Sequence, residues 1–238
     1  MPRRGSHRRE EDATRNGAPE PIGGQPRPVK PRLRGVSHRW AFFTSIFAGV
    51  ALVLVAPSER AAAAATVYAL SVSALFGVSA LYHEVTWSVP ARRWMRRLDH
   101  SMIFLLIAGT YTPFCVLVLS GTLALVVLAV VWSGALLGVA LNLVWVDAPK
   151  WFSAVVYVSL GWVAVVAFPA LVSQLGATAT GLIVLGGVLY SAGAAVYALR
   201  RPDPVPEVFG YHEVFHALVI AAAVAHYGVV AFCVLQRG

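Results

Sequence analysis

The chain has 238 residues, of which 58% are hydrophobic and 13% are charged, and its mean hydropathy is +0.69. Soluble domains are about half apolar and about a quarter charged, so this composition excludes an ordinary water-soluble globule and a mainly disordered chain. The net charge of +8 is concentrated in residues 1–39, which carry 10 basic and 4 acidic residues, whereas the other 199 residues carry 9 basic and 7 acidic ones. That nearly neutral, apolar body predicts an integral membrane protein.

Residues 1–39 form the first predicted segment, and they combine Arg, Pro and Gly with few apolar side chains. Such a segment cannot bury enough apolar surface to offset the entropy lost on ordering, so we predict that it is disordered. It is too long and too polar for a cleavable signal peptide. Contact with DNA is one use for its basic residues, but we favour a cytoplasmic tail beside anionic lipid headgroups and expect no nucleic acid partner.

Seven apolar segments follow the tail, and each is close to the ~20 residues that cross ~30 Å of hydrocarbon as a helix. They cover residues 40–56, 61–82, 102–119, 122–145, 151–172, 177–199 and 214–235. A barrel is excluded because its strands are about ten residues long and alternate in polarity. In the sixth segment, four glycines are predicted to permit close helix contact: Gly181, Gly186, Gly187 and Gly193. The predicted fold class for residues 40–238 is an all-α integral membrane bundle of seven transmembrane helices.

The basic residues of the loops predict the orientation, because cytoplasmic loops carry an excess of Lys and Arg. With the N-terminus inside, the cytoplasmic loops are 83–101, 146–150 and 200–213, and they hold seven basic residues in addition to the ten of the tail. The opposite side holds only Arg60 and Arg237. We therefore predict a multi-pass protein of the cell membrane with a cytoplasmic N-terminus and an outside C-terminus.

Ionisable residues within or beside the spans are costly in lipid and by default mark a functional site. The candidates are His83, Glu84, Asp99, His100, His212, Glu213, His216 and His226. The predicted topology puts His83 at the cytoplasmic end of the second span, Asp99 at the start of the third and His212 at the start of the seventh. Three segments that are distant in sequence therefore bring polar residues to one membrane depth.

The residue types at this depth suit a metal site. His212 and His216 are four residues apart and share one helix face, and His83 would complete three ligands with a fourth position left for water. A metal there provides a nucleophile near neutral pH, and Asp99 could accept a proton from the water or orient it. Ser79 lies one turn before His83 and could hydrogen-bond the water or a developing oxyanion. We predict these three histidines as zinc ligands and Asp99 and Ser79 as catalytic residues, while packing histidines at a membrane interface remain the alternative.

Two other histidines fit this site less well. His226 lies ten residues after His216, which is ~15 Å further along a helix, so we predict a packing or hydrogen-bonding role for it. His100 is turned ~100° around its helix from the neighbouring aspartate and is only a candidate to support the site.

The stretch from His212 to His216 also has the HExxH pattern of zinc proteases, in which the Glu acts as general base. No Asp or Glu follows Glu213 in the chain to serve as a third, acidic ligand. Asp99 could take that place, so an intramembrane metalloprotease stays open as an alternative.

At these residues the chain resembles the hemolysin III branch of the progestin and adipoQ receptor (PAQR) family. The matching stretches are Ser79-Ala80-Leu81-Tyr82-His83, Leu98-Asp99-His100-Ser101 continuing through Ile107-Ala108-Gly109-Thr110-Tyr111-Thr112-Pro113-Phe114, and Tyr211-His212-Glu213-Val214-Phe215-His216. They match the family pattern of Ser and His on the second span, Asp at the third, and His-x3-His on the seventh. With the seven spans, the resemblance covers residues ~40–235.

The resemblance implies a seven-helix bundle with a cytoplasmic N-terminus and zinc held by His83, His212 and His216. Asp99 and Ser79 would correspond to the family's aspartate and serine near the zinc-bound water. Relatives can carry an uncharged residue at the position of Glu213, which argues against a catalytic base there.

Three functions are therefore open. The family includes eukaryotic receptors with suspected or reported lipid amidase activity and is similar to alkaline ceramidases, which implies a zinc-dependent hydrolase of a lipid amide or ester, with membrane lipid as its substrate. The hemolysin label of bacterial members implies a membrane-lytic or channel protein with structural zinc. A lipid sensor with structural zinc is the third, although no signalling domain is visible in the sequence.

Overall fold

The computed structural model describes residues 30–145 and 147–237, whose regular structure is helical apart from one isolated β-bridge between Val205 and Phe209. Most of the predicted tail, residues 1–29, lies outside the described residues. The helices are α1 (Val36–Leu54), α2 (Glu59–Glu84), α3 (Val89–Leu117), α4 (Gly121–Val144), α5 (Lys150–Gly161), α6 (Ala164–Leu199) and α7 (Tyr211–Val229). A π-helical turn, Val230–Val234, and a 3₁₀ turn, Leu235–Arg237, extend α7.

Six helical stretches of the described residues are long and apolar enough to cross a membrane. Five of them are α1, α2, α3, α4 and α7 with its extension, and the sixth is the 50-residue stretch Lys150–Leu199, which contains α5 and α6. The fifth and sixth predicted spans both fall within that stretch. It is interrupted at Gly176, whose φ of 81° and ψ of 171° lie in a region that glycine enters without the steric cost of a Cβ. The structure therefore supports a multi-pass, all-helical membrane protein with six such stretches, where the sequence predicted seven.

Two helices begin earlier than the hydropathy pattern predicts. α3 starts at Val89, so most of the predicted loop 83–101 is helical. A proline in the first turn and the good helix formers that follow explain this start, since Pro is pre-organised for the first helical position. α1 starts at Val36, inside the segment assigned to the tail. Hydrophobicity locates the part of a helix that lies in lipid, but it does not show where the helix ends in water.

The segment before α1 is held against the loop that precedes α7. The backbone N–H of Arg32 donates to the carbonyl of Glu207 at 3.0 Å, and that of Leu33 donates to the carbonyl of Val208 at 3.1 Å. Arg32 and Leu33, which the composition assigned to the tail, thus have backbone partners more than 170 positions away.

Helices that are adjacent in sequence pack side by side, and α7 packs against both α6 and α1, so the last helix returns to the first. Glycines allow the closest approaches. A Cβ at Gly109 of α3 would lie 2.2 Å from the Ser71 hydroxyl oxygen of α2, and one at Gly138 of α4 would lie 2.3 Å from the Phe104 ring of α3. This packing brings the first turn of α1, the last turn of α2, the third turn of α3 and the first turns of α7 to one place.

Candidate metal centre

Three histidines from two helices meet at that place. His83 is the penultimate residue of α2, and His212 and His216 lie in the first two turns of α7. The Nε2 atoms of His83 and His212 are 3.0 Å apart, and one ligand nitrogen from each of the three rings lies within 4.8 Å of the others. The side chains are 8%, 9% and 1% exposed, respectively. Together they form a group that could hold a metal ion.

The spacing and chemistry of this group fit zinc. Zn–N bonds of 2.0–2.1 Å place two ligands of a tetrahedral site about 3.3 Å apart, close to the separation of the His83 and His212 nitrogens. In His216 the Nδ1 atom is buried and has no hydrogen-bond partner among the described residues. Buried polar atoms are normally satisfied, so an imidazole nitrogen in this state is consistent with a ligand role.

Asp99 and Ser79 lie beside the three histidines. The Asp99 Oδ2 atom, from α3, is 4.0 Å from His83 Nε2, and its side chain is 13% exposed. Ser79 is buried one turn before His83 on α2, and its hydroxyl is within hydrogen-bonding reach of the Asp99 carboxyl group. The structure thus brings all five residues singled out in the sequence to one site, on three helices.

His38 joins this site although the sequence placed it in the tail. It lies near the start of α1, is fully buried, and stacks on His216 with ring centroids 3.6 Å apart and an angle of 6° between the planes. The ring of Phe76 meets it edge-on at 5.0 Å. The criterion that selected the other histidines also applies to His38, which is an ionisable residue beside a span. It was assigned to the tail because basic residues surround it in the sequence.

Glu213 has a structural role at the start of α7. Its carboxylate is 2% exposed, and Oε1 accepts a hydrogen bond from Arg34 Nε while Oε2 accepts one from the backbone N–H of Gly210 at 2.9 Å. The second bond caps the helix, where a carboxylate is also favoured by the helix dipole. Both oxygens are therefore engaged, which disfavours the general base that an HExxH protease needs.

The other two histidines that the structure describes, His100 and His226, stand outside the group. The backbone carbonyl of His100 accepts a hydrogen bond from Tyr157 at 3.4 Å, and its ring faces Tyr197 edge-on at 6.4 Å. His226 donates from Nε2 to the carbonyl of Ile183 at 3.1 Å, a partner on α6. Neither histidine is one of the three that could hold a metal.

A cavity of about 140 Å³ extends from the polar residues into the bundle. At one end its lining includes Ser79, Asp99, His212 and His216, and elsewhere it is mostly apolar. The same lining includes His226, two to three helical turns beyond His216 on α7. A second cavity of about 90 Å³ shares some of its lining residues, including His226. The arrangement is a buried polar site that opens into a long apolar chamber.

Comparison with known proteins identifies the family. Residues 27–227 match the family described as Haemolysin-III related. The chain is 32% identical over 203 residues to the "Hemolysin-3 homolog" of Bacillus subtilis, covering 84% of this chain and 90% of that protein. It is equally similar to the "Hemolysin-3" of Bacillus cereus, covering 84% and 88% of the two chains.

A more distant relative extends the relationship to eukaryotes. The "Adiponectin receptor protein" of Drosophila melanogaster is 32% identical over 180 residues, which cover 63% of this chain and 38% of that protein. The profile match spans most of the chain, and the bacterial relatives match over nearly their whole lengths. The chain therefore belongs to the hemolysin III branch of the progestin and adipoQ receptor family.

Proposed function

We propose that this protein is a zinc-dependent hydrolase of a lipid amide or ester. The observation that carries the proposal is the convergence of three buried imidazoles with a carboxyl group and a hydroxyl at the polar end of an apolar cavity. Imidazole ligands suit zinc, and zinc sites with three protein ligands are typical of catalytic rather than closed structural sites.

The proposal includes seven membrane crossings. As one straight helix, the 50-residue stretch Lys150–Leu199 would be roughly 75 Å long, far more than the ~30 Å of a hydrocarbon core. Two crossings with the break at Gly176 between them account for its length. The loop charges favour a cytoplasmic N-terminus and an outside C-terminus, and in that orientation the candidate metal centre would lie at the inner leaflet.

The groups around the centre suit acyl hydrolysis. His83, His212 and His216 would hold the zinc, which would supply a Lewis acid and a water that is nucleophilic near neutral pH. Asp99 Oδ2 is placed to accept a proton from the attacking water and to return it to the leaving amine or alcohol. The Ser79 hydroxyl is within hydrogen-bonding reach of the Asp99 carboxyl group, and a bond from it would keep that group oriented towards the histidines.

The apolar cavity supports a lipid as the substrate. Its side chains would bury an acyl chain, and the polar end would receive the carbonyl group to be cleaved. The mostly apolar lining also lowers the local dielectric constant, which strengthens electrostatic interactions within the site.

The test is zinc content and lipid hydrolysis measured on the same purified preparation. We expect about one zinc per chain, lost in His212→Ala and His216→Ala together with hydrolysis of an acyl amide or acyl ester. The matched control is His226→Gln, which removes one imidazole from the same helix outside the three-histidine group and should retain the metal. Full zinc retention in both alanine variants would overturn the metal assignment.

A membrane-lytic protein is the second candidate, because two of the relatives carry the name Hemolysin. Dye release from vesicles distinguishes the two functions. Lysis that survives removal of all three histidines, with no lipid turned over, would favour the lytic protein. A lipid sensor with structural zinc would bind the lipid in the same cavity without turnover.

A further inference from the structure

The far end of the cavity carries a second pair of polar side chains. His226 on α7 and Tyr190 on α6 contact each other with ring centroids 5.6 Å apart. Both line the cavity that also contains His212, His216 and Asp99. Ten residues of continuous α7 separate His216 from His226, so this pair lies ~15 Å from the metal centre along the helix.

The hydrogen bond of His226 determines which ring nitrogen is free to accept a hydrogen bond from a ligand. Because Nε2 is the donor to the Ile183 carbonyl, the neutral ring carries its lone pair on Nδ1, which is then an acceptor. That Nδ1 atom is buried and has no hydrogen-bond partner within residues 30–145 and 147–237. The Tyr190 hydroxyl is also buried and has no hydrogen-bond partner among the described residues. A hydroxyl group can both donate and accept a hydrogen bond.

The backbone of α6 is shaped to admit the His226 ring. A Cβ at Gly186 would lie 2.3 Å from His226 Nε2, so no larger residue fits there without moving the ring. Of the four glycines in the sixth predicted span, this one makes room for an imidazole. The ring is held on one side by Gly186 and by its bond to the Ile183 carbonyl, three residues earlier on the same helix.

At this end of the cavity the two unsatisfied buried polar atoms are His226 Nδ1 and the Tyr190 hydroxyl, and buried polar groups are normally paired. His226 also lines the second cavity, so it stands where the two chambers meet. Among the described residues, Asp99 at the opposite end is the one carboxyl group that lines either cavity, and no Lys or Arg lines them. The group that fits here is neutral and both donates and accepts a hydrogen bond.

We propose that His226 and Tyr190 form a second binding subsite that recognises a hydroxyl group in the middle of the ligand's acyl chain. The ligand hydroxyl donates to His226 Nδ1 and accepts from the Tyr190 hydroxyl. This proposal rests on the proposed function in that the same cavity holds an acyl chain. It adds that hydroxylated chains are the preferred class.

The test compares two free fatty acids that differ by one mid-chain hydroxyl, ricinoleic acid and oleic acid. Their binding to the purified full-length protein in detergent is measured by isothermal titration calorimetry, which needs no turnover. We expect ricinoleic acid to bind about tenfold more tightly, the effect of two hydrogen bonds to otherwise unpaired groups. Tyr190→Phe, which removes only the hydroxyl, should lower the ratio of the two affinities to about threefold, the effect of the one bond that remains, and His226→Gln should lower it likewise.

The matched control is Tyr227→Phe. Tyr227 is the neighbour of His226, but its hydroxyl already donates to the Ala48 carbonyl at 3.2 Å, and it does not line either cavity. The ratio should be unchanged in this variant. Equal affinities of the wild-type protein for the two acids, or a preference that is undiminished in Tyr190→Phe, would overturn the subsite and leave the proposed hydrolase intact. Failure of both acids to bind would overturn the subsite together with the assignment of the cavity to an acyl chain, whereas zinc content would still test the metal centre independently.

Discussion

The ion pair between Arg34 and Glu213 offers a quantitative test of how the metal centre is held. Glu213 is 2% exposed and Arg34 is 19% exposed, so the pair is largely removed from water. Removing one partner of a buried pair costs about 3–5 kcal/mol, because the other charge is left uncompensated. In Arg34→Met the N–H of Gly210 still bonds the carboxylate, so we expect the lower end of that range, about 3 kcal/mol of unfolding free energy.

The double variant Arg34→Met with Glu213→Gln separates the charge from the packing. The glutamine can still accept the bond from Gly210, and no buried charge remains. We therefore expect the loss to fall to about 1 kcal/mol, the usual value of one hydrogen bond. The control is Arg39→Met, because Arg39 pairs with Glu84 at 2.9 Å but is 44% exposed, and exposed pairs are worth about 0–1 kcal/mol.

The assay is reversible unfolding of the detergent-solubilised protein by titration with sodium dodecyl sulfate, followed by helical circular dichroism. Zinc content of the folded variants is measured in parallel, since Glu213 is adjacent to His212 in the first turn of α7. If Arg34→Met lowers the free energy of unfolding no more than Arg39→Met does, the reasoning is refuted. It is also refuted if the double variant is as unstable as Arg34→Met alone.

Three further predictions follow from other contacts. Asp99→Asn should retain most of the zinc but lower any lipid hydrolysis by roughly 10²–10⁴, the usual contribution of acid–base assistance; unchanged activity in a zinc-loaded variant would remove Asp99 from the mechanism. Gly186→Ala places a methyl group against the ring of His226 and should cost about 1–3 kcal/mol in the same unfolding titration, where a neutral result would contradict the close packing. A cysteine introduced at position 201 should be shielded from an impermeant reagent in intact cells, while one at position 237 is labelled; labelling of position 201 would reverse the proposed orientation.

Much of the fold follows from local properties of the sequence. The apolar segments can be identified because a helix that crosses the hydrocarbon core needs about 20 apolar residues in a row. This requirement applies to each segment separately and does not depend on which helices pack against it. The pairing of His212 with His216 is equally local, since four residues complete about one helical turn. His83 and Asp99 were predicted to join them because each lies at a span end on the same predicted side. The members of the candidate site are thus identifiable from the sequence alone.

Other features depend on which helices are neighbours. The stack of His38 on His216 requires α1 to pack against α7, and hydropathy alone does not specify that packing. The same packing pairs Arg34 with Glu213, which are 179 positions apart in the sequence. Glu213, which the HExxH pattern would make a general base, instead caps the start of α7.

What the sequence by itself determined is the membrane class, the positions of most helices, the residues of the candidate centre and the family. Only the tertiary structure decided the surroundings of that centre: the stacked His38, the anchored Glu213, and the cavity that links His216 to His226. The physical reason is that hydropathy and helical periodicity act over one or two turns, whereas cavities, stacked rings and buried ion pairs form between side chains that only packing brings together.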